Sequence, residues 1–262
     1  TKGPFRLKYT IPEEVQIASS DLDTIDSIAL NAIKEGAAPG CQIFIAKEGK
    51  VIYKKSYGSH TYGDEVPVKN TDLYDLASIT KIAATTLAVM KLYDKKNIDL
   101  DKPLGHYLPE LRHSNKKKIV IRNMMAHQAR LQSFLPFWLE TVENVSFDKK
   151  SDRYITAFPK YAAGFYSTTR SDLFPTRVAE GLYIRKGYDD IIMQKIIDSK
   201  LRKKKEYYYS DLGYYFLLKI IQQISGETIE DYTAGNFYAP LGLSTMGYRP
   251  REKFNLERII PT

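Results

Sequence analysis

The stretch from Asp75 to Met90, Asp-Leu-Ala-Ser-Ile-Thr-Lys-Ile-Ala-Ala-Thr-Thr-Leu-Ala-Val-Met, constrains this chain more than any other. Its alanines favour a helix, and Leu87, Met90 and Leu92 supply an apolar side, so the pattern predicts a helix beginning near Ser78. Ser78 and Lys81 then share a face, where hydroxyl and amine can meet. A serine hydroxyl is a poor nucleophile near neutral pH unless a base takes its proton. A lysine can be that base when burial lowers its pKa. Ile79, Ile82 and the alanines suggest such burial, and the positive field of a helix N-terminus favours a neutral amine and an oxyanion. The spacing alone also fits a capping serine beside a solvated lysine, so the rest of the chain has to decide.

At 262 residues and 43% hydrophobic content, the chain is long enough for one large domain or two small ones. No apolar run reaches the length of a membrane span. The single cysteine, Cys41, rules out an internal disulfide framework and lies in an apolar run, which reads as a packed strand. Neither it nor the histidines at 60, 106, 113 and 127 show metal-ligand spacing, so no metal or cofactor is expected. The net charge of +8 raises the question of an acidic partner. The basic runs, Lys116–Lys118 and Lys200–Lys205, lack the interleaved aromatics or glycines of a nucleic-acid surface. They read as solvated loops or helix ends, and no nucleic acid is expected. Attraction to an anionic polymer such as cell wall remains open through the general field.

Residues 1–18 show no period and read as an extended lead-in or linker. A helix follows, capped by Ser20 or Asp21, with Leu22, Ile25, Ala29, Ala32 and Ile33 as its stripe and Gly36 at its end. Two strands, Cys41–Lys47 and Val51–Tyr57, form a hairpin around Glu48-Gly49-Lys50. Short helical pieces are expected near His106 and after Ile119. Residues 133–205 hold Trp138 and several other aromatics with little periodicity, and read as a lid-like insertion. After Tyr207-Tyr-Tyr-Ser-Asp-Leu-Gly213 comes a strong helix with Phe216, Leu217, Ile220, Ile221 and Ile224 on one face and Gly226 at its end. A second helix starts near Glu227.

Several segments now agree in order: Ala38-Pro-Gly40 before the hairpin, Leu76-Ala-Ser-Ile-Thr-Lys81, Leu100-Asp-Lys-Pro-Leu104 with Tyr107-Leu-Pro109, Met125-Ala-His-Gln-Ala129, Tyr209-Ser-Asp-Leu-Gly-Tyr214, Ile224-Ser-Gly226 and Ala239-Pro-Leu-Gly242. As an ordered set, over about residues 20–250, they resemble the serine β-lactamase-like family of class C β-lactamases, D-alanyl-D-alanine carboxypeptidases and related esterases. More narrowly, the chain is similar to the serine-hydrolase domain that follows a glycoside hydrolase family 3 domain in some bacterial cell-wall proteins. The resemblance implies an α/β (α+β) fold, an antiparallel sheet flanked by helices with a mainly helical region that holds Ser78. On that view residues 19–262 form the β-lactamase/transpeptidase-like domain, and Gly3-Pro-Phe-Arg-Leu7 is a linker from a fused glycoside hydrolase partner. The family is usually exported in bacteria, so a periplasmic or extracellular place and a small-molecule or peptidoglycan-derived substrate are the expectations.

In such enzymes the serine of Ser-x-x-Lys is acylated and the lysine is its neighbouring base. Ser78 and Lys81 fit those roles. The tyrosine of the second motif, Tyr-x-Asn, relays the proton to the leaving group, and Tyr209 falls at that position. A nearby cation would make its phenolate usable near neutrality, against a free value of ~10. Asp211 stands where the family usually has Asn, at a position that faces the substrate. A carboxylate cannot donate the hydrogen bond an amide gives; it would either weaken Lys81 as a base or hold it charged and leave Tyr209 as principal base, and either way it argues against efficient β-lactam turnover. Arg130 stands where the family often has Gly after the His-x-x stretch, and His127 of that stretch is mostly structural in the family. Between Ser210 and Thr262 there is no Lys/His-Thr/Ala/Ser-Gly triplet, the family's third motif. The expectation is a chain incomplete at its C-terminus, without the late strands. Two functions stay open: a serine hydrolase, as carboxypeptidase or esterase, or a non-catalytic module that binds cell-wall peptide or sugar.

Overall fold

The computed structural model describes residues 7–63, 65–150, 153–155 and 160–261. The chain divides into two compact units: residues up to Ala84 with those from Glu230 on, and Thr85–Ile229. Residues 3–6 of the expected linker lie outside the described residues.

The first unit is built on a three-stranded sheet. Its elements are β1 (Lys8–Tyr9), α1 (Ser19–Lys34), β2 (Gly40–Lys47) and β3 (Lys50–Gly58), in the sheet order β1-β3-β2. The expected hairpin forms, with β2 antiparallel to β3. Its turn residues, Glu48 (φ 54) and Gly49 (φ 75), both lie in the left-handed region that a tight two-residue hairpin of the right twist requires. β1 departs from the antiparallel expectation by pairing parallel to β3. Strand alternation sends Ile43 and Ile45 to the same face as their partners Lys55 and Tyr53. On that face Asp26 of α1 accepts from Lys55 Nζ at 2.8 Å and from Tyr57 Oη at 2.6 Å. At the open end of the hairpin Gly40 pairs with Gly58. A Cβ on Gly58 would stand 2.2 Å from the Pro39 carbonyl oxygen, so only glycine lets the strands approach there.

In α1 the expected stripe is the covered side, with Ala29 fully buried and Leu22, Ile25, Ala32 and Ile33 half-buried. The expected cap is corrected. The helix starts at Ser19 behind Ala18, with no side-chain cap, and the Ser19 N–H is met instead by the Glu13 carboxylate at 2.8 Å. Glu13 belongs to a 3-10 turn, Pro12–Val15, within the expected lead-in.

The second unit begins with α2 (Leu87–Asp94), α3 (Leu104–Tyr107) and α4 (Ile121–Met125). The expected lid-like stretch contains β4 (Val142–Glu143), β5 (Ser146–Asp148), β6 (Arg153–Ile155), β7 (Lys160–Tyr161), β8 (Tyr166–Ser167), β9 (Thr176–Ala179), β10 (Leu182–Ile184) and α5 (Tyr188–Asp198). These strands pair as β4-β7, β5-β6 and β8-β10-β9; residues 151–152 and 156–159 of the stretch lie outside the described residues. Next comes α6 (Leu212–Ser225), the centre of this unit's core. Its buried Leu212, Phe216, Leu217, Ile220 and Ile221 follow the helical period of the sequence, and α2 and α4 pack against it with Ala88, Val89, Leu92, Ile121 and Met124. Gly226, at φ 73, ends it as expected.

Lys116 corrects the expectation of a solvated basic run at one position, while Lys117 and Lys118 are exposed as expected. The Lys116 side chain is fully buried, and its ammonium donates to the carbonyls of Ile197, at 3.1 Å, and Ser199 at the end of α5. The partners lie some eighty positions away in sequence, so a local reading could not find them. Beyond α6 come α7 (Ile229–Thr233), a π-helical turn Ala234–Tyr238 and two 3-10 turns. Ile259 bridges in parallel to Leu73 within the first unit. Among the described residues no strand follows β10.

Candidate active site

The segment that leads to Ser78 is held inside the first unit by buried polar contacts. His60 Nε2 and Asp72 Oδ2 lie 3.0 Å apart, and the same carboxylate oxygen accepts the Lys69 N–H at 2.6 Å. The Leu73 N–H donates to Arg258 O at 2.6 Å, and the Ile260 N–H to Leu73 O at 2.9 Å. Asp75 Oδ1 then accepts the Ala77 N–H at 2.8 Å. Ala77 has φ 43, a left-handed backbone that costs an L-residue roughly 1–2 kcal/mol. Strain of that kind clusters at functional sites. Nothing in the sequence marks Ala77, because alanine is not a residue that prefers this conformation.

Ser78 sits in the 3-10 turn Ala77–Ile79, and Lys81 opens a π-helical run, Lys81–Thr86. The regular helix begins only at Leu87, which corrects the expectation of an α-helix from Ser78 on. Ser78 still lies in the first turn of the continuous helical run that ends at Asp94. The pairing survives the change of geometry, because residues three apart still share a face where the 3-10 turn passes into the π-helical run. Lys81 Nζ donates to Ser78 Oγ at 3.0 Å. The expected apolar burial is also corrected: Ser78 is exposed and Lys81 half-buried, while Ile79 and Ile82 are 55% and 63% exposed. The inward side of this run is Ala84, Thr85, Ala88 and Val89.

Tyr209 and Asp211 belong to the second unit. Their segment, Tyr207–Leu212, is clasped by His127–Ser133. The Tyr208 N–H donates to His127 O and the Asp211 N–H to Ser133 O, both at 2.9 Å. Buried Ser210 donates from its hydroxyl to Gln132 O at 2.6 Å. The Ser210 N–H donates to His127 Nδ1 at 3.2 Å, and the rings of His127 and Tyr209 lie 4.5 Å apart, centre to centre. Asp211 occupies the cap position of α6, with no capping hydrogen bond from its side chain. Arg130 has φ 61, a backbone that glycine adopts freely. Arg130 Nε donates to Arg202 O at 2.5 Å, and the Arg202 guanidinium lies 3.2 Å from the centre of the Tyr208 ring. Among the described residues no group of three or more His, Cys, Asp or Glu is placed to hold a metal ion, and no helix is long and apolar enough to cross a membrane.

The Beta-lactamase family model matches residues 25–256, and the chain belongs to that family of serine hydrolases. The fold is β-lactamase/transpeptidase-like, a mixed α/β arrangement with small sheets. An N-acetylmuramyl-L-alanine amidase of Bacillus subtilis (strain 168) is 24% identical over 254 residues, covering 92% of this chain and 49% of that one. An Escherichia coli (strain K12) protein whose name assigns it as a D-alanyl-D-alanine carboxypeptidase is 26% identical over 265 residues, 98% of this chain and 54% of that one. Among solved structures, an octameric penicillin-binding protein homologue from Pyrococcus abyssi matches with a TM-score of 0.63 at 20% identity, over 92% of this chain and 47% of that one. The chain spans about half the length of the curated relatives it matches.

Proposed function

We propose that this chain is a serine hydrolase that works through an acyl-enzyme at Ser78, on an ester or a D-alanyl-type amide derived from peptidoglycan. The observation that carries the reading is the 3.0 Å hydrogen bond from Lys81 Nζ to Ser78 Oγ on a strained turn. A hydroxyl held against an amine is the pairing that nucleophilic acyl transfer needs and that ligand binding alone does not. Ser78 Oγ adds to the acyl carbon and loses its proton to the site's base. The alcohol or amine departs with a proton returned by Tyr209, and water then releases the acyl group and restores the hydroxyl. Lys81, Tyr209 or the two together serve as that base, and Asp211 faces the substrate. The names of the relatives in Bacillus subtilis and Escherichia coli support a cell-wall substrate and a place outside the cytoplasm. A fused glycoside hydrolase partner and a lid role for residues 133–205 belong to the same reading.

Asp211 in place of an amide favours a second reading, a module that binds cell-wall peptide or sugar without turnover. Intact-protein mass of the full-length protein, after incubation with a fluorophosphonate and separately with a penicillin, decides between them. The expected result is one covalent adduct that disappears in Ser78→Ala and forms at least about a hundredfold more slowly in Lys81→Ala. No adduct with either reagent overturns the catalytic reading and leaves the binding module.

A further inference from the structure

His127 holds Tyr209 from three directions within the second unit. Its carbonyl accepts the Tyr208 N–H at 2.9 Å. Its Nδ1 accepts the Ser210 N–H at 3.2 Å. Between those two grips its imidazole lies 4.5 Å from the Tyr209 ring, tilted by 35°. Tyr209 itself is 40% exposed, so burial does little to fix its phenol. The backbone of His127, at φ 57, is left-handed, a region where histidine is enriched among non-glycine residues. That conformation follows directly on the end of α4 and turns the carbonyl and the ring toward the same three-residue segment. Accepting a backbone N–H at Nδ1 places the proton of the neutral ring on Nε2.

We infer that His127 is a positioning residue for Tyr209: it fixes the direction of the phenol that hands a proton to the leaving group, and takes no proton from substrate itself. The inference rests on the proposed function, because it takes Tyr209 as that proton carrier. It separates from a structural role through the chemistry of the leaving group. An alkyl alcohol must receive a proton as it departs, whereas a p-nitrophenolate leaves without one. Misplacing the phenol therefore slows alkyl-ester cleavage more than cleavage of the activated ester, whose leaving group needs no proton.

The test compares kcat/KM for an alkyl ester and the matching p-nitrophenyl ester in the full-length protein. In Tyr209→Phe the ratio of alkyl to activated ester falls by about a hundredfold, the size of a general-acid contribution. In His127→Ala it falls about tenfold, as for a modest misplacement of a positioned group. His127→Asn keeps an acceptor for the Ser210 N–H and tolerates the left-handed backbone, so it recovers part of the ratio. In the Tyr209→Phe background His127→Ala changes the ratio no further. An unchanged ratio in His127→Ala, an equal fall on both esters, or a further fall in the Tyr209→Phe background overturns the inference. Retained turnover in Ser78→Ala, or an unchanged ratio in Tyr209→Phe, overturns instead the proposed function on which it rests.

Discussion

Replacing Lys116 by methionine isolates the cost of burying one ammonium. The side chain is fully inaccessible, and burial pushes its pKa down from an ordinary 10.5 to about 8, with Asp198 opposing the shift. At 1.36 kcal/mol per pKa unit, that difference amounts to roughly 3 kcal/mol against the charged form. Below about pH 8 the amine is charged in both the folded and unfolded chain, and the whole cost is present. Between about 8 and 10.5 the unfolded chain holds the extra proton, so stability rises with pH. The uncharged amine keeps two N–H groups for the two carbonyls of Ile197 and Ser199, so deprotonation leaves both carbonyls bonded. Methionine has neither the proton nor the donors. The stability of the parent relative to Lys116→Met therefore climbs by roughly 3 kcal/mol from neutral pH to about pH 10.5. Urea unfolding followed by the fluorescence of Trp138 at a series of pH values reads this directly, and groups that titrate in both proteins cancel in the difference. Parallel curves for the two proteins, or a parent that loses stability relative to Lys116→Met as pH rises, would refute the argument.

Two further outcomes follow from the hairpin. Gly58→Ala puts a methyl 2.2 Å from the Pro39 carbonyl oxygen at a backbone φ of 67, and should cost more than ~3 kcal/mol, read as a lowered Tm. Glu48→Asn suits the left-handed first position of the turn, at φ 54, and should add about 0.5–1 kcal/mol in the same melt; a loss there would mean the glutamate is held by something other than its backbone.

What the sequence made legible was what local periodicity governs. The hairpin, the stripe of α1 and the face of α6 with its terminal Gly226 stand where apolar spacing and glycine put them. The pairing of Ser78 with Lys81 was legible too, although its backbone was not. The same two side chains meet across the junction of a 3-10 turn and a π-helical run as they would in an α-helix, so their spacing cannot tell the two apart. Features made by distant partners were hidden. Glu13 completes the start of α1 from outside the helix, and Lys116 finds its acceptors in a segment far along the chain. The short strands of residues 142–184 are two to four residues long, too brief for an alternating pattern to register. The clasp around Tyr209 is made mostly by backbone atoms of residues 127–133, and backbone atoms leave no trace in composition.

The bridge between Leu73 and Ile259 also sets an order of events during synthesis. All of Thr85–Ile229 is a continuous stretch and can settle as soon as it has left the ribosome. The approach to Ser78 has to wait for Arg258 and Ile260, which bind Leu73 and Thr71 across the whole intervening stretch. Closing a loop of that length costs roughly 5 kcal/mol in chain entropy. The neighbourhood of Ser78 is thus completed later than the continuous stretch Thr85–Ile229.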